Sequence, residues 1–254
     1  TPPVGAGHWA YLAGTDGPFH ALALPPAGFP WSRPLDMTSS PSPPAHAAGR
    51  VLLPANDSQL RCIHLEQRSL AWCISASGTL AHFMPTPLID EGVVFAANWG
   101  GQLFAIDLSS GRQLWRYSVP SHPPRRTVLD HTPLAAGELI LVGSYDHRLH
   151  ALDRASGNLC WVSQDLDRRI YSRPAAVGVG MEGVVYVAPY RRSLHALRLA
   201  DGKLLWPQAL ALEEKARGDF VMAGGLLVAP GQHGKLHLAP VTQEEEAISS
   251  ETLL

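Results

Sequence analysis

Residues 103–115 read LFAIDLSSGRQLW, and residues 149–161 repeat that phrase as LHALDRASGNLCW. A third copy occupies residues 194–206, and weaker copies occupy residues 19–31 and 60–72. The copies end at five tryptophans that are separated by 41, 43, 46 and 45 residues: Trp31, Trp72, Trp115, Trp161 and Trp206. A self-similar period of about 40 to 50 residues indicates an array of similar structural units.

Each repeat is predicted to contain four short strands. A Thr-Pro-like start, as at Thr86 and Thr132, precedes the first strand, and an aliphatic or β-branched run such as Val93–Ala96 forms the second. The Leu-x-Ala-Leu segment is the third strand, and a tight glycine turn leads to the tryptophan strand. The pattern predicts an all-β fold, a β-propeller of about six four-stranded blades over residues 1–242.

The sixth unit departs from this pattern. Its strands are predicted at Leu226–Val228 and Leu236–Ala239, but Ile248, in an acidic C-terminal tail of residues 243–254, replaces the expected tryptophan. Propellers commonly complete one blade from both termini, which removes exposed sheet edges. Since Thr1 already begins an inner strand, we expect the last blade to be incomplete or closed by the C-terminal tail. If it is incomplete, we expect the chain to be part of a longer protein.

Composition argues against two classes of partner. The formal net charge of −2 gives no electrostatic reason to expect nucleic acid or an acidic membrane surface. Because no run of 18 or more apolar residues occurs, no transmembrane helix is predicted. The start at Thr1 has neither a methionine nor a basic and apolar leader, so we expect any targeting signal to have been removed or to lie outside this chain.

The segments Ala105–Trp115 and Ala151–Trp161 share the pattern Ala-x-Asp-x-x-Ser-Gly-x-x-x-Trp. This pattern resembles the repeat of the quinoprotein-like (PQQ-like) β-propeller superfamily. Its members include quinone-dependent alcohol dehydrogenases, the propeller lipoprotein of the outer-membrane β-barrel assembly machinery, and propellers appended to adenylating enzymes. Such relatives usually have seven or eight blades. The resemblance implies a propeller and favours a periplasmic or other extracytoplasmic location.

The dehydrogenases of that superfamily are similar to one another in an adjacent pair of cysteines and a calcium site, and this sequence has no adjacent cysteines. Calcium needs six to eight oxygen ligands. The available side chains all suit the turns that hold them: Asp16, Asn56, Asp57, Asn98 and Asp146. We therefore expect no cofactor, no metal and no enzymatic activity. Two alternatives remain, a relic of a PQQ-dependent oxidoreductase and the C-terminal propeller module of a multidomain adenylating enzyme.

Histidines and cysteines receive structural interpretations. Four histidines occupy one position in four repeats, on separate blades, where they cannot converge on a metal ion: His20, His150, His195 and His237. Counting across the turn places Cys62 opposite about Ala71, which leaves Cys73 diagonal and distant for a disulfide. Buried free thiols are therefore expected in preference to a Cys62–Cys73 bond.

The remaining candidate site is a surface. In a propeller, the loops that join the second strand to the third and the loops that join successive blades emerge on one face. Arginine, tyrosine and tryptophan are enriched in binding hot spots, and these loops carry nine such residues: Trp99, Tyr145, Tyr190, Arg191, Arg192, Arg125, Arg126, Arg168 and Arg169. Trp99 lies outside the tryptophan ladder, and we expect its indole to be exposed. The sequence predicts a noncatalytic binding or scaffold propeller with a protein partner on this face.

Overall fold

The structure is a computed structural model that describes residues 4–6, 9–13, 19–23, 31–33, 42–121, 123, 125–166, 168–170, 174–177, 183–189, 193–206, 210–211, 221–223, 226–230, 236–240 and 251–253. The regular secondary structure of these described residues consists of 24 β-strands, which form six four-stranded antiparallel sheets. Strand order in every sheet follows the chain. The prediction of an all-β chain of six four-stranded units is confirmed.

The chain divides into two compact units, Thr1–Val119 with Val128–Thr132 and Pro120–Thr127 with Pro133–Leu254. Three sheets belong to the first unit. Sheet 1 contains β1 (Val4–Ala6), β2 (Trp9–Ala13), β3 (Phe19–Ala23) and β4 (Trp31–Arg33). Sheet 2 contains β5 (Ala45–Ala47), β6 (Arg50–Pro54), β7 (Gln59–His64) and β8 (Ser69–Ser75). Sheet 3 contains β9 (Leu88–Asp90), β10 (Val93–Ala97), β11 (Gln102–Asp107) and β12 (Gln113–Ser118).

The second unit holds the other three sheets. Sheet 4 contains β13 (Leu134–Ala136), β14 (Leu139–Gly143), β15 (Leu149–Asp153) and β16 (Leu159–Val162). Sheet 5 contains β17 (Ala175–Val177), β18 (Val184–Val187), β19 (Ser193–Arg198) and β20 (Leu210–Ala211). Sheet 6 contains β21 (Val221–Ala223), β22 (Leu226–Pro230), β23 (Leu236–Pro240) and β24 (Glu251–Leu253).

The C-terminal tail supplies the fourth strand of sheet 6. Glu251 pairs with Leu238, and Leu253 pairs with Leu236, in antiparallel register. Of the two expectations for the last blade, the structure shows the one in which the tail closes it. The strand begins three residues beyond Ile248, which lies outside the described residues.

Within each unit, neighbouring sheets pack through apolar side chains of their second and third strands. In the first unit, Leu52 and Cys62 of sheet 2 join Val94 and Phe104 of sheet 3 in one fully buried or nearly buried cluster. The second unit has an equivalent cluster between sheets 4 and 5, with members Leu141, Leu149, Ala151, Val185, Val187 and Leu197. Fully burying a side chain of this size contributes roughly 1.5 to 3 kcal/mol, so these clusters between neighbouring sheets stabilise each unit.

Two tryptophans of the ladder, Trp72 and Trp161, pack in these two clusters. Trp72 is buried and its Nε1 donates to the Leu108 carbonyl at 2.9 Å, whereas Trp161 is half-buried and donates to the Leu199 carbonyl at 2.9 Å. Trp115 and Trp206 are also buried, although the Trp206 Nε1 has no hydrogen-bond partner among the described residues. Trp72 thus combines a buried indole with a hydrogen-bonded N–H.

A β-bulge precedes the tryptophan in three sheets. In sheet 2, Cys62 pairs with Trp72 and Ile63 pairs with Leu70, which leaves Ala71 as the extra residue. The expected pairing of Cys62 with Ala71 is therefore wrong, because a count across the turn omits the bulged residue. All three cysteines are free thiols, which confirms that part of the prediction, but burial applies to Cys62 alone, since Cys73 and Cys160 are exposed.

Among the described residues, no helix is long and apolar enough to cross a membrane.

Candidate functional site

The loops between the second and third strands are built on side chains that bond to their own loop. Asp57 pairs with Arg61 at 2.6 Å in sheet 2, and at the equivalent position of sheet 4 Asp146 pairs with the His150 ring at 3.0 Å. Each aspartate also accepts a hydrogen bond from a backbone N–H two residues later, Gln59 for Asp57 and Arg148 for Asp146. These carboxylates hold their turns, as the sequence predicts.

In sheet 3, the side-chain amide of Asn98 holds the turn between β10 and β11. Its Oδ1 accepts from the Gln102 backbone N–H at 2.9 Å, and its Nδ2 donates to Gln102 Oε1 at 2.9 Å. The side chain is fully buried. Because the oxygens of Asp57, Asn98 and Asp146 are all engaged by donors of the protein, these residues do not fit a calcium and quinone site.

No cluster of three or more histidine, cysteine, aspartate or glutamate side chains lies within metal-binding reach in the described part of the chain. Of the calcium candidates, Asp16 lies outside the described residues. Of the four repeated histidines, His150 is buried against Asp146 and His20 and His195 are half-buried. The side chain of His237 lies outside the described residues.

Trp99 forms hydrogen bonds through both its backbone and its side chain. The backbone N–H donates to the His82 carbonyl at 3.0 Å, and the indole Nε1 donates to Asp130 Oδ1 at 2.6 Å. The side chain is half-buried rather than exposed at a turn tip. The expectation of an exposed indole is thus corrected, because Asp130, 31 residues away in sequence, supplies a partner that a local reading of the turn does not reveal.

In the second unit, Arg125, in the loop before sheet 4, contacts the loop between β14 and β15 and the segment after β16. Its guanidinium forms an ion pair with Asp165 and donates to the Asp146 carbonyl at 3.3 Å. His147 Nδ1 stands 3.5 Å from the other Asp165 oxygen, at the long limit of a hydrogen bond. Burial, followed by the nearby positive charge of Arg125, lowers the pKa of His147 and so favours its neutral form at neutral pH.

Tyr145 and Arg169 form a second contact in this region. The Arg169 guanidinium carbon stands 5.2 Å from the centre of the Tyr145 ring, within the range of a cation–π interaction. Arg168 and Arg126 are exposed, as is Arg169. We call the surface formed by Arg125, Arg126, Tyr145, Arg168 and Arg169 the arginine rim.

The structure thus brings five of the nine predicted binding residues into one region of the second unit. Trp99 belongs to the first unit. The other three, Tyr190, Arg191 and Arg192, lie outside the described residues. Two carboxylates that position these groups, Asp130 for Trp99 and Asp165 for Arg125, were not predicted, because each lies 31 to 40 residues from its partner and belongs to no repeat motif.

A family model supports this architecture. The model described as outer membrane protein assembly factor BamB matches residues 1–166 and 145–245 of the chain. The chain belongs to this PQQ-like propeller family. In structure, it is similar to BamB from Moraxella catarrhalis, with a TM-score of 0.73 and 16% identity over 99% of this chain and 71% of that one. The fold is therefore a β-propeller fold, as the sequence predicts.

Curated relatives of two functional kinds match the chain. It is 27% identical over 172 residues to outer membrane protein assembly factor BamB of Yersinia pestis, which covers 63% of this chain and 42% of that protein. It is also 30% identical over 114 residues to quinohemoprotein alcohol dehydrogenase ADH IIB of Pseudomonas putida, which covers 43% of this chain and 16% of that protein. The matches span less than half the length of these curated relatives.

Proposed function

We propose that this chain is a noncatalytic binding or scaffold propeller that holds a protein partner on its strand-connecting loops. The observation that carries the proposal is the arginine rim, where the exposed guanidinium of Arg169 lies over the Tyr145 ring and the side chains of Arg126 and Arg168 are also exposed. Arginine and tyrosine combine large contact area with directional hydrogen bonds, which is why they dominate interface hot spots. The relatives that are named as outer membrane assembly factors support the same role and favour an extracytoplasmic location.

The charge of the rim favours an acidic partner. Arg125, Arg126, Arg168 and Arg169 contribute four positive charges, of which that of Arg125 is paired with Asp165. A partner with a carboxylate-rich segment would gain charge-assisted hydrogen bonds there. Exposed rim charges mainly accelerate association and make it sensitive to salt, whereas the partly buried Tyr145 ring contributes apolar contact. We propose four additional binding residues: Trp99 and, outside the described residues, Tyr190, Arg191 and Arg192.

An oxidoreductase is the second candidate, because quinone-dependent dehydrogenases match part of the chain. The carboxylates of Asp57 and Asp146 and the Asn98 amide are engaged within the protein, so these three described side chains do not fit the set of oxygen ligands that such a cofactor site needs. The binding role is therefore the better supported of the two.

The test uses charge reversal on the rim. The chain is immobilised, its partner is captured from the envelope fraction of the native host and purified, and the affinity is then measured at two salt concentrations. Arg168→Glu/Arg169→Glu should weaken binding at least tenfold, chiefly by slowing association, as expected of exposed charges that steer an acidic partner. The matched control is Arg112→Glu/Arg116→Glu, which reverses two exposed arginines at the tryptophan strand of sheet 3 and should leave the affinity unchanged.

Two outcomes would contradict the proposal. Equal loss in the rim and control variants would show that net charge, and not this surface, governs association. Full binding by the rim variant would remove the rim from the interface. In that case Arg191→Glu/Arg192→Glu would test whether the untested part of the predicted surface holds the partner instead.

A further inference from the structure

The turn between β7 and β8 departs from its counterparts in other sheets. His64 pairs with Ser69 across this turn, and Asp107 bonds to Arg112 across the equivalent turn of sheet 3. In this register Arg68 stands where the other turns have glycine, at Gly111, Gly157 and Gly202. The backbone keeps the left-handed conformation of those glycines, with φ of 51° at Arg68.

That conformation is unfavourable for an arginine. A residue with a Cβ atom loses roughly 1 to 2 kcal/mol in the left-handed region relative to its ordinary conformations. Strained backbone persists where the surrounding structure enforces it, and such positions cluster at ligand sites. Arg68, an arginine at the position of a repeat glycine, is therefore a candidate ligand-binding residue.

A cavity of about 320 Å³ opens at this turn, lined by Trp9, Tyr11, Leu65, Glu66 and Arg68. Its volume is at the lower end of the range for small-molecule sites. Trp9 is a second departure from the repeat, since it begins β2 at the position where β10 begins with Val93. Tyr11 is buried, and its ring stacks on Phe19 with the centroids 6.0 Å apart. Two deviations from the repeat thus meet in one cavity of the first unit.

We propose that this cavity binds a neutral pyranose sugar. The C–H face of a pyranose ring is apolar and can cover the half-buried indole of Trp9, which removes that surface from water, while the buried Tyr11 ring forms part of the cavity wall. Each sugar hydroxyl both donates and accepts hydrogen bonds, while a glutamate carboxylate only accepts and an arginine guanidinium only donates. Glu66 and Arg68 therefore supply the complementary pair of groups for neighbouring hydroxyls.

Charge and size support this ligand class over an ion. One carboxylate and one guanidinium leave the lining with no net charge, so neither a simple anion nor a simple cation is favoured. A single sugar ring of about 12 non-hydrogen atoms at the efficiency of ordinary ligands gives a Kd on the order of 1 mM. The main competing ligand is a small zwitterion such as a free amino acid, whose two charges could also face Glu66 and Arg68.

The experiment uses the full chain and three probes, the methyl glycosides of glucose, galactose and N-acetylglucosamine, with leucine as the zwitterion probe. Binding is followed by saturation-transfer NMR of the ligand, and the Trp9 indole N–H is followed in ¹⁵N-labelled protein. At least one glycoside should bind saturably and shift the Trp9 resonance, with a Kd on the order of 1 mM.

Three variants locate the site. Arg68→Gly restores the repeat residue at a left-handed position and should keep or raise the melting temperature while lowering affinity at least tenfold. Trp9→Val introduces the residue found at the equivalent position of sheet 3 and should have the same effect on affinity. Arg112→Gly is the matched control, an exposed arginine at the equivalent turn of sheet 3, and should bind as the unmodified chain does.

The proposal is overturned if none of the three glycosides binds saturably at about ten times the expected Kd. It is also overturned if Arg68→Gly and Trp9→Val bind as well as the unmodified chain, which would place the sugar elsewhere. Binding of leucine without binding of any glycoside would assign the cavity to zwitterions. None of these results bears on the protein-binding role of the arginine rim, which belongs to the second unit.

Discussion

Gly111 lies directly against the indole of Trp72, so closely that a Cβ atom built on the glycine would stand 2.5 Å from Trp72 Cγ. The glycine belongs to the last turn of sheet 3 and the tryptophan to the outer strand of sheet 2. Gly202 and Trp161 repeat the relationship in the second unit, with a Cβ atom 2.3 Å from Trp161 Cε3. Glycine is therefore required at this repeat position for two reasons: the backbone has a positive φ, and the tryptophan of the preceding sheet occupies the space that a Cβ atom would need.

Gly111→Ala should destabilise the chain by about 2 to 4 kcal/mol, because it combines a left-handed alanine with a clash against a buried indole. The matched control is Gly92→Ala, in the same unit. Gly92 also has a positive φ, of 78°, but its Cβ atom would meet nothing within 4 Å, so the cost should be only about 1 kcal/mol. Urea unfolding of both variants measures the difference. Equal losses would show that the indole yields freely to the added methyl group.

Trp115→Ala should cost about 3 to 5 kcal/mol of unfolding free energy, as large core truncations do. Its side chain is buried and its ring lies 5.8 Å from that of Phe95. Trp161→Ala should cost less, since that indole is half-buried. The measurement is reversible denaturant unfolding, and a loss below about 1 kcal/mol for Trp115 would contradict its role in holding the sheets together.

The repeat phrase was sufficient to predict the sheets. Alternating apolar residues, a glycine turn and a fixed period recur in each copy, and every one of these signals is local in sequence. The β-bulge before Trp72 was not predicted, because a bulge changes the pairing by one residue without changing the apolar pattern. The place of the C-terminal strand was also missed, since Glu251–Leu253 has no tryptophan to mark it.

The binding residues were predicted less completely than the fold. The composition of the loops pointed to Tyr145 and six arginines, and the structure places Tyr145 and four of these arginines in the arginine rim. What the sequence could not supply was the set of long-range partners, such as Asp165 for Arg125. The Arg68 cavity was missed for another reason, since it depends on a backbone conformation that an arginine rarely adopts.

The Asp107 carboxylate should make stability depend on pH in the acid range. Hydrogen bonds from the Ser110 hydroxyl, the Ser109 hydroxyl and the Ser110 backbone N–H lower the pKa of Asp107 from 3.8 to about 2. Since the folded pKa lies below the unfolded one, the stabilisation is fully present above the unfolded value. It is lost as pH falls through the folded value of about 2.

Carbon-13 NMR of the Asp107 carboxyl group tests this directly. Ser110→Ala removes the largest cause and should move the titration midpoint upward, and the acid-induced loss of stability should then begin closer to the ordinary value. A midpoint near 3.8 in the unmodified chain would show that the serine hydrogen bonds do not persist in solution.

The chain should not bind pyrroloquinoline quinone together with calcium. The carboxylates of Asp57 and Asp146 already pair with the buried side chains of Arg61 and His150, and calcium binding there would require both pairs to break. Isothermal titration calorimetry of the quinone, with calcium in excess, should give no saturable heat. Tight, stoichiometric and calcium-dependent binding would make an oxidoreductase the better supported of the two candidate functions.

The bond between the Trp99 indole and Asp130 predicts that Trp99 contributes to stability as well as to partner binding. A hydrogen bond to a charged group contributes about 1.5 to 3 kcal/mol, so the double-mutant cycle of Trp99→Phe and Asp130→Ala should give a coupling energy in that range. A coupling near zero in denaturant unfolding would show that the indole does not engage Asp130 in solution.

Partner binding by the same variants then separates the two roles of Trp99. Trp99→Phe keeps an aromatic ring for the partner but removes the indole N–H that Asp130 accepts, so it should lower stability and leave most of the affinity. Trp99→Ala should cost about 2 kcal/mol or more in binding if the side chain is a hot spot. Binding is measured well below the melting temperature of each variant, so that unfolding does not imitate a loss of affinity. If Trp99→Ala binds as tightly as Trp99→Phe, then Trp99 serves only to anchor its loop, and the partner depends on the arginine rim alone.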